Sequence, residues 1–267
     1  MNNRLTKTFA EAKKTGRKLL CPFITAGYPT LESTPLVIKA AQDNGGGIVE
    51  LGVPFSDPVA DGPVIQASYT HALARGCTVD QSLATAKAAR VLGVTIPIVA
   101  MVSFSIMFKR GTAAFAQACA VNEIDGVILP DVPLEEAPAI IDTFRDAGLR
   151  SILLVAPTSA PDRRAAIARL CDGFVYYLSV SGITGERKAL PTDIAPNIAE
   201  LRAATSTPIC VGFGISTAAQ VREITRVADG AIVGSALIRR IGEHVNGSPE
   251  EIAKAAGALV KELAGGL

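Results

Sequence analysis

The chain has 267 residues, of which 49% are hydrophobic and 19% charged, and a formal net charge of +1 at neutral pH. A charge so close to zero gives no electrostatic reason to expect nucleic acid or an anionic membrane as a partner. The five cysteines are odd in number and show no CxxC spacing, so they predict neither a disulfide framework nor a zinc site. The first twenty residues have the pattern of a basic amphipathic helix rather than of a signal peptide, and we therefore expect a soluble cytoplasmic protein.

Short apolar, β-branched runs then alternate along the chain with longer segments of helical periodicity. The eight runs are LLCPFIT, GIVELGV, PIVAMVS, GVILPD, RSILLVA, GFVYYLS, PICVGF and GAIVGS. Near-continuous apolar strands separated by helices predict a parallel sheet that is buried on both faces. Eight such units in this length favour a (β/α)₈ barrel (a TIM barrel) over the alternative, a doubly wound sheet.

Three helical segments exceed the eight-unit pattern: one before the first strand, one after the second strand (VIQASYTHALARG) and one at the C-terminus (SPEEIAKAAGALVKELAGG). No linker, low-complexity segment or charge block interrupts the chain, and we expect residues 1–267 to form a single domain. The loops after the second and sixth strands are long, which is typical of lids and binding loops.

The loops after the last two strands predict a phosphate site. GFGIS follows the seventh strand, and Gly234 and Ser235 follow the eighth. Glycines allow backbone N–H groups to approach an anion, and a helix N-terminus adds a favourable dipole. The alternative is that these glycines serve only as tight turns between strand and helix. Barrels of this class commonly bind phosphate at this position, and we therefore expect a phosphate ester as substrate.

Glu50 stands in an apolar strand, between Val49 and Leu51, where a buried carboxylate costs several kcal/mol unless it is paired or protonated. Strand alternation places it on the face opposite to its two neighbours, pointing into the barrel. Burial makes a glutamate easier to protonate, which suits a group that both gives and takes a proton. The structural alternative is an ion pair with an arginine inside the barrel, for which Arg150, at a strand edge, is the single candidate.

Other barrel mechanisms fit the residues less well. A Schiff-base aldolase needs a lysine in the barrel, whereas the lysines fall outside the predicted strands; Lys188, in the sixth loop, is the least clear case. His71 and His244 lie in helical segments and are predicted to be structural, so no metal site is expected. No dinucleotide fingerprint follows the first strand. Cofactor-free acid–base chemistry on a phosphorylated substrate remains.

The segment VELGVPFSDPVADGPVIQ resembles the signature of the tryptophan synthase alpha subunit family, and FITAGYP, PDVPLEE, GITG, GFGIS and GSA match that family in the same order. The resemblance covers nearly the whole chain. It implies retro-aldol cleavage of indole-3-glycerol phosphate into indole and glyceraldehyde 3-phosphate, without a cofactor of its own.

The resemblance also assigns roles to individual residues. It implies that Glu50 is the acid/base group, that Asp61 hydrogen-bonds the indole N–H and stabilises the charge that develops on the ring, and that Tyr176 supports the reacting hydroxyl. The alternative for Tyr176 is a packing aromatic beside Tyr177. The substrate pocket of the family is carried onto Phe23, Met101, Thr184, Gly185, Phe213, Gly214, Gly234 and Ser235.

The family further implies a beta subunit that carries pyridoxal phosphate and receives the indole. Asp57 belongs to the signature and is expected to serve loop and partner contacts. Many members have Tyr-x-Asn-Pro after the third strand, whereas this chain has Ser103-Phe104-Ser105-Ile106, on the side that faces the partner. Two alternatives remain open: a stand-alone lyase that releases indole, and a weakly active subunit whose main role is to activate a partner enzyme.

Overall fold

The structure is a computed structural model, which describes residues 3–58, 61–179, 193–212 and 214–267. Eight parallel strands pair in chain order, and the eighth pairs with the first, so that the sheet closes into a barrel. The predicted (β/α)₈ barrel is therefore confirmed. The strands are β1 (Leu19–Thr25), β2 (Val49–Gly52), β3 (Ile98–Met101), β4 (Gly126–Leu129), β5 (Arg150–Val155), β6 (Val175–Leu178), β7 (Ile209–Gly212) and β8 (Gly230–Val233).

Twelve helices surround the barrel in the described part of the chain. They are α1 (Arg4–Thr15), α2 (Ser33–Asp43), α3 (Pro63–Ala74), α4 (Val79–Val91), α5 (Phe104–Arg110), α6 (Thr112–Val121), α7 (Ala137–Asp146), α8 (Pro161–Leu170), α9 (Ile194–Ala204), α10 (Ala218–Thr225), α11 (Ser235–Gly242) and α12 (Pro249–Ala264). The three extra helices that the sequence predicts are α1, α3 and α12. Among these described helices, none is long and apolar enough to cross a membrane.

Helix α5 was not among the predicted helices. The apolar sequence of β3 continues into α5, and no residue between them marks the end of the strand. The group that caps the start of the helix, the Asp131 carboxylate, lies further along the chain. The Asp131 carboxylate accepts hydrogen bonds from the Ser103 hydroxyl and from the Phe104 backbone N–H, both at 2.7 Å. A carboxylate at a helix N-terminus satisfies an N–H group that has no partner within the helix. The start of α5 thus depends on a residue 27 positions further along.

The alternation of side chains along each strand separates two layers of the core. On β2, Val49 and Leu51 are fully buried between the sheet and the helices, and Glu50 points to the barrel interior. Phe23 of β1 and Val99 of β3 are the register partners of Glu50, at the same level of the barrel. This register sets which side chains meet at the C-terminal ends of the strands.

The opposite, N-terminal end of the barrel carries a charged network. The Asp125 carboxylate lies 2.7 Å from Arg90 and 3.1 Å from Arg4, and it accepts a hydrogen bond from the Ile98 backbone N–H. The Asp125 carboxylate thus links α1, α4 and the start of β3 at this end of the barrel. In barrels of this class the N-terminal face is associated with stability and the C-terminal face with catalysis.

Candidate active site

A cavity opens among the C-terminal ends of the barrel strands, with about 620 Å³ of empty space including its mouth. Ligand pockets commonly have volumes of about 300–1,000 Å³. Side chains and backbone from β1, β2, β3, β5, β6 and β8 and from the adjoining loops line the cavity: Phe23, Glu50, Asp61, Ile65, Met101, Pro130, Leu154, Tyr176, Gly214, Ile215, Ile232, Gly234 and Ser235. The lining is mostly apolar, with two carboxylates at one side.

Glu50 is 1% exposed, and one of its carboxyl oxygens, Oε2, has no hydrogen-bond partner within the described residues. Within this part of the chain no lysine or arginine lies at salt-bridge distance from it. Arg150, the candidate partner, lies instead near Asp172 and donates to the Thr6 hydroxyl at the opposite end of the barrel. The described residues therefore show no ion pair that explains why a carboxyl group stands here.

The environment of Glu50 favours its neutral form. Burial, and to a lesser extent the nearby Asp61 charge, together raise its pKa from 4.5 to about 8. At neutral pH the group is thus a carboxylic acid that can donate a proton and, once ionised, accept one. A proton donor with a pKa near the working pH is the most effective general acid.

Asp61 lies at the end of the loop after β2, immediately before α3. Its backbone N–H donates to the Pro58 carbonyl, and its own carbonyl accepts a hydrogen bond from the Gln66 side chain, 2.7 Å away. Burial raises the pKa of Asp61 to about 6, which leaves it largely ionised at neutral pH. The pair thus combines a protonated Glu50 with an ionised Asp61, two different roles set by two environments.

Glycines in the strands make room for the aromatic side chains of the site. A Cβ atom on Gly212 would lie 2.5 Å from the Tyr176 ring, and one on Gly52 would lie 2.5 Å from the Phe23 ring. Real Cβ atoms do not come so close to a ring, so larger residues at these two positions would displace both aromatics. Tyr176 is 6% exposed; burial raises its pKa, and the Glu50 charge raises it further, which is consistent with a hydroxyl near that carboxyl.

The glycines of the predicted phosphate site border the same cavity as the two carboxylates. Gly214 has a φ of +78°, a left-handed conformation that glycine adopts at no steric cost. Gly234 immediately precedes α11, and a Cβ atom there would lie 3.6 Å from Phe23, at ordinary contact distance. The absence of that Cβ leaves the space in front of the α11 N-terminus open to a ligand.

The structure brings together most of the residues that the sequence singled out. Glu50, Asp61, Tyr176, Phe23, Met101, Gly214, Gly234 and Ser235 all line the cavity. Thr184, Gly185, Phe213 and Lys188 lie outside the described residues. Asp57 lines an adjoining cavity with Ser103 and Asp131, next to the segment that departs from the family pattern.

Sequence reasoning missed several residues of the site. Leu154 and Ile232 lie on predicted strands, but alternation within a strand leaves open which of its two faces points inward. The others come from outside the strands and have no such alternation: Ile65, Pro130 and Ile215. Tyr69 of α3 was also missed. It is 3% exposed and lines the adjoining cavity together with Asp61.

These features define the class of protein: a (β/α)₈ barrel with a pair of carboxyl groups at the C-terminal ends of its strands. The family model described as "Tryptophan synthase alpha chain" matches residues 9–265. The chain belongs to this family, which is a family of lyases.

Relatives and solved structures agree with the family model. The tryptophan synthase alpha chain of Picosynechococcus sp. is 43% identical over 249 residues, covering 92% of both chains. That of Rhodopirellula baltica is 43% identical over 256 residues, covering 95% of this chain and 90% of the relative. The tryptophan synthase subunit alpha structure of Legionella pneumophila has a TM-score of 0.90 at 33% identity, covering all of this chain and 98% of that one. A Mycobacterium tuberculosis tryptophan synthase structure has a TM-score of 0.89 at 33% identity, with the same coverage.

Proposed function

We propose that this chain cleaves indole-3-glycerol phosphate into indole and glyceraldehyde 3-phosphate, as the alpha subunit of tryptophan synthase. The observation that carries the proposal is the carboxylate pair at the cavity wall, with Glu50 neutral and Asp61 ionised at neutral pH. Membership of the tryptophan synthase alpha chain family supports the choice of substrate.

The reaction needs a proton at C3 of the indole ring and the loss of a proton from the adjacent side-chain hydroxyl. Glu50, as the acid, donates its proton to C3, and the ring becomes an electron sink. Its carboxylate then accepts the hydroxyl proton as the bond between ring and side chain breaks. The bonding electron pair returns to the ring, and the hydroxyl oxygen becomes the aldehyde oxygen. Protons and electrons balance within the substrate and Glu50.

Asp61 has the charge needed to stabilise the protonated ring. An ionised carboxylate that accepts a hydrogen bond from the indole N–H offsets the positive charge that develops after protonation at C3. In a site shielded from water, one such group is worth about 3 kcal/mol of barrier, by analogy with oxyanion-hole donors. The Glu50 charge contributes to the raised pKa of Tyr176, after burial. We assign Tyr176 a supporting contact to the reacting hydroxyl of the substrate.

We assign the phosphate group of the substrate to the part of the cavity that glycines line. Gly214, Gly234 and Ser235 border the same cavity as the carboxylates, and we infer that an ester bound there has its indole ring beside Glu50 and Asp61. We assign substrate contacts also to Phe23 and Met101, and to Thr184, Gly185 and Phe213, which lie outside the described residues. The chemistry needs only proton transfer and charge stabilisation, so we propose that the chain uses no cofactor.

We propose a tryptophan synthase beta subunit, carrying pyridoxal phosphate, as the partner. Helix α5, which starts after Ser103 beside the adjoining cavity, supports a location for the partner. This helix exposes Phe108, which is 72% accessible to solvent. Phe108 packs on Phe104 with ring centroids 5.6 Å apart. Large apolar side chains exposed at the rim of a site are typical of partner contacts.

The test is an assay of the purified chain with indole-3-glycerol phosphate, in which indole and glyceraldehyde 3-phosphate are quantified with and without a beta subunit. We expect equal amounts of both products and faster release with the partner. Equally fast release in both conditions would indicate the stand-alone lyase. Product formation only at the level of the Glu50→Gln variant would indicate a subunit that activates its partner without catalysis of its own.

A further inference from the structure

Tyr69 has no role in the reaction described above, yet it lines the cavity that adjoins the active site, together with Asp61. It belongs to α3, the helix that begins two residues after Asp61. Ile65 and Tyr69 are four residues apart and therefore occupy the same face of the helix. Ile65 lines the active-site cavity and Tyr69 is 3% exposed, so this face of α3 is turned towards the site.

The hydroxyl of Tyr69 reaches the inner surface of the barrel. A Cβ atom on Gly52 would lie 2.8 Å from the Tyr69 hydroxyl oxygen and 2.5 Å from the Phe23 ring. Gly52 is two residues beyond Glu50 on β2 and therefore on the same side of the strand. The Tyr69 hydroxyl thus lies one strand level above the Glu50 carboxyl, at the mouth of the barrel and next to Phe23.

Tyr69 also shares a boundary with Asp61. Both residues line the adjoining cavity, and Asp61 at the same time lines the active-site cavity. Burial raises the pKa of Tyr69 well above its usual value, and the Asp61 and Glu50 charges raise it further. The hydroxyl therefore keeps its proton throughout the pH range in which the carboxyls titrate, and it is available as a hydrogen-bond donor.

We propose that Tyr69 is a positioning residue, whose hydroxyl donates a hydrogen bond to the Asp61 carboxylate in the substrate complex and holds this carboxylate ionised towards the indole nitrogen. The proposal rests on the proposed function. A hydrogen bond to the charged form favours that form, so it opposes the effect of burial on Asp61. Among the residues that the structure describes, the titratable groups that face Tyr69 and Asp61 from the surrounding elements are Glu50, Asp57, Asp131 and Tyr176.

The test is the Tyr69→Phe variant, which removes the hydroxyl and keeps the ring in contact with Phe23. We expect kcat to fall about tenfold, as for the loss of one hydrogen bond to a charged group, while KM changes less than about twofold. The acid limb of the kcat profile should move to higher pH by about half a unit to one unit, because the neutral form of Asp61 is then favoured. Incorporation of 3-fluorotyrosine at position 69, which makes the hydroxyl a stronger donor, should move the limb the other way.

Tyr177→Phe is the matched control. Tyr177 is fully buried on β6 and its hydroxyl accepts a hydrogen bond from Asn197, away from the carboxylates. We expect this variant to change thermal stability but not the position of the acid limb. The affinity for 3-(indol-3-yl)propyl phosphate, which cannot be cleaved, gives a readout without turnover, and its acid limb should shift in Tyr69→Phe as the kcat limb does.

The results distinguish a failure of the proposed function from a failure of the role proposed for Tyr69. A wild-type chain that neither cleaves indole-3-glycerol phosphate nor binds the propyl phosphate contradicts the proposed function. A wild-type chain that does both, with both acid limbs unchanged in Tyr69→Phe, overturns the role of Tyr69 alone. In that case a lower kcat would reflect packing against Phe23.

Discussion

Two carboxyl groups of the cavity differ in protonation because they differ in burial. Glu50 is enclosed by the barrel and lacks a partner for Oε2 among the described residues, whereas Asp61 lies nearer to the mouth. The charge of Asp61 adds to the preference of Glu50 for its neutral form. An arginine beside Glu50 would lower the pKa of this carboxyl group and leave both carboxyl groups ionised at neutral pH.

The Glu50→Gln variant should fold and lose nearly all indole release, at least about 1,000-fold in kcat, because the amide keeps the shape but cannot transfer a proton. Asp61→Asn should lose less, since its amide retains one acceptor oxygen without the charge. Steady-state kinetics on purified variants check both expectations. The control is Asp57→Asn, which changes an exposed carboxylate of the same loop as Asp61 and should retain activity when assayed without a partner. Turnover of Glu50→Gln at the wild-type rate would remove Glu50 from the mechanism.

The pH dependence follows from the same two groups. We expect kcat/KM to rise as Asp61 ionises around pH 6 and to fall as Glu50 loses its proton around pH 8. The two limbs belong to the coupled pair rather than to either residue alone. The phosphate ester also ionises near pH 6, so Asp61→Asn is measured in parallel, and only the part of the acid limb that this variant loses belongs to the carboxyl. A profile that is flat between pH 5 and 9 would contradict the assignment.

At the scale of the elements, the N-terminus of α11 is the main candidate for phosphate recognition. Its first turn follows directly on β8, and Gly234 leaves the space before it open. Neighbouring Ser235 adds a hydroxyl donor at the start of the helix. A helix N-terminus stabilises an anion through N–H groups that have no partner within the helix.

Gly234→Val should raise KM for indole-3-glycerol phosphate by about tenfold or more, because its side chain fills the space in front of α11. Gly234→Ala should have a smaller effect, since one methyl group meets its protein neighbours at ordinary contact distance. The dephosphorylated substrate is the control. We expect it to bind wild type much more weakly than the ester does, and to bind both variants as it binds wild type. Equal affinity of wild type for the two substrates would mean that the glycines serve as turns only.

At the scale of the whole molecule, the active site reduces stability. Burial raises the pKa of Glu50 from 4.5 to about 8, so the folded chain keeps a proton that the unfolded chain releases between these pH values. The stability present below about pH 4.5 is therefore lost progressively as the pH rises towards 8. Enzymes commonly retain such destabilising groups where function requires them.

Glu50→Gln should accordingly be more stable than wild type at alkaline pH. Between pH 5 and pH 8 the difference in the free energy of unfolding should grow by about 2–4 kcal/mol in favour of the variant, from about 1.4 kcal/mol per pKa unit. Urea unfolding at the two pH values measures this difference, and Asp57→Asn gives the reference for a substitution at an exposed carboxylate. A constant difference between Glu50→Gln and wild type would mean that Glu50 is ionised in the folded chain at pH 5.

The sequence by itself determined the barrel and the face of β2 on which Glu50 stands. The apolar runs and the helical segments between them repeat locally, and the two-residue period of a strand separates Glu50 from Val49 and Leu51 without any knowledge of contacts. The glycines after β7 and β8 and the extra helices α1, α3 and α12 could also be predicted, because turn and capping signals lie next to the elements they end. The single domain and the roles of all the site residues, including those of the sixth loop, stay predictions.

Only the tertiary structure decided what surrounds Glu50. Asp61 and Tyr69 come from a loop and a helix, and their distance from the carboxyl depends on how α3 packs on the closed barrel. The start of α5 likewise depends on Asp131, which belongs to the next βα loop. Periodicity reports which face a residue occupies within its own element. Contacts between elements arise when the barrel closes, and burial and charge, which set the pKa values of the site, follow from those contacts.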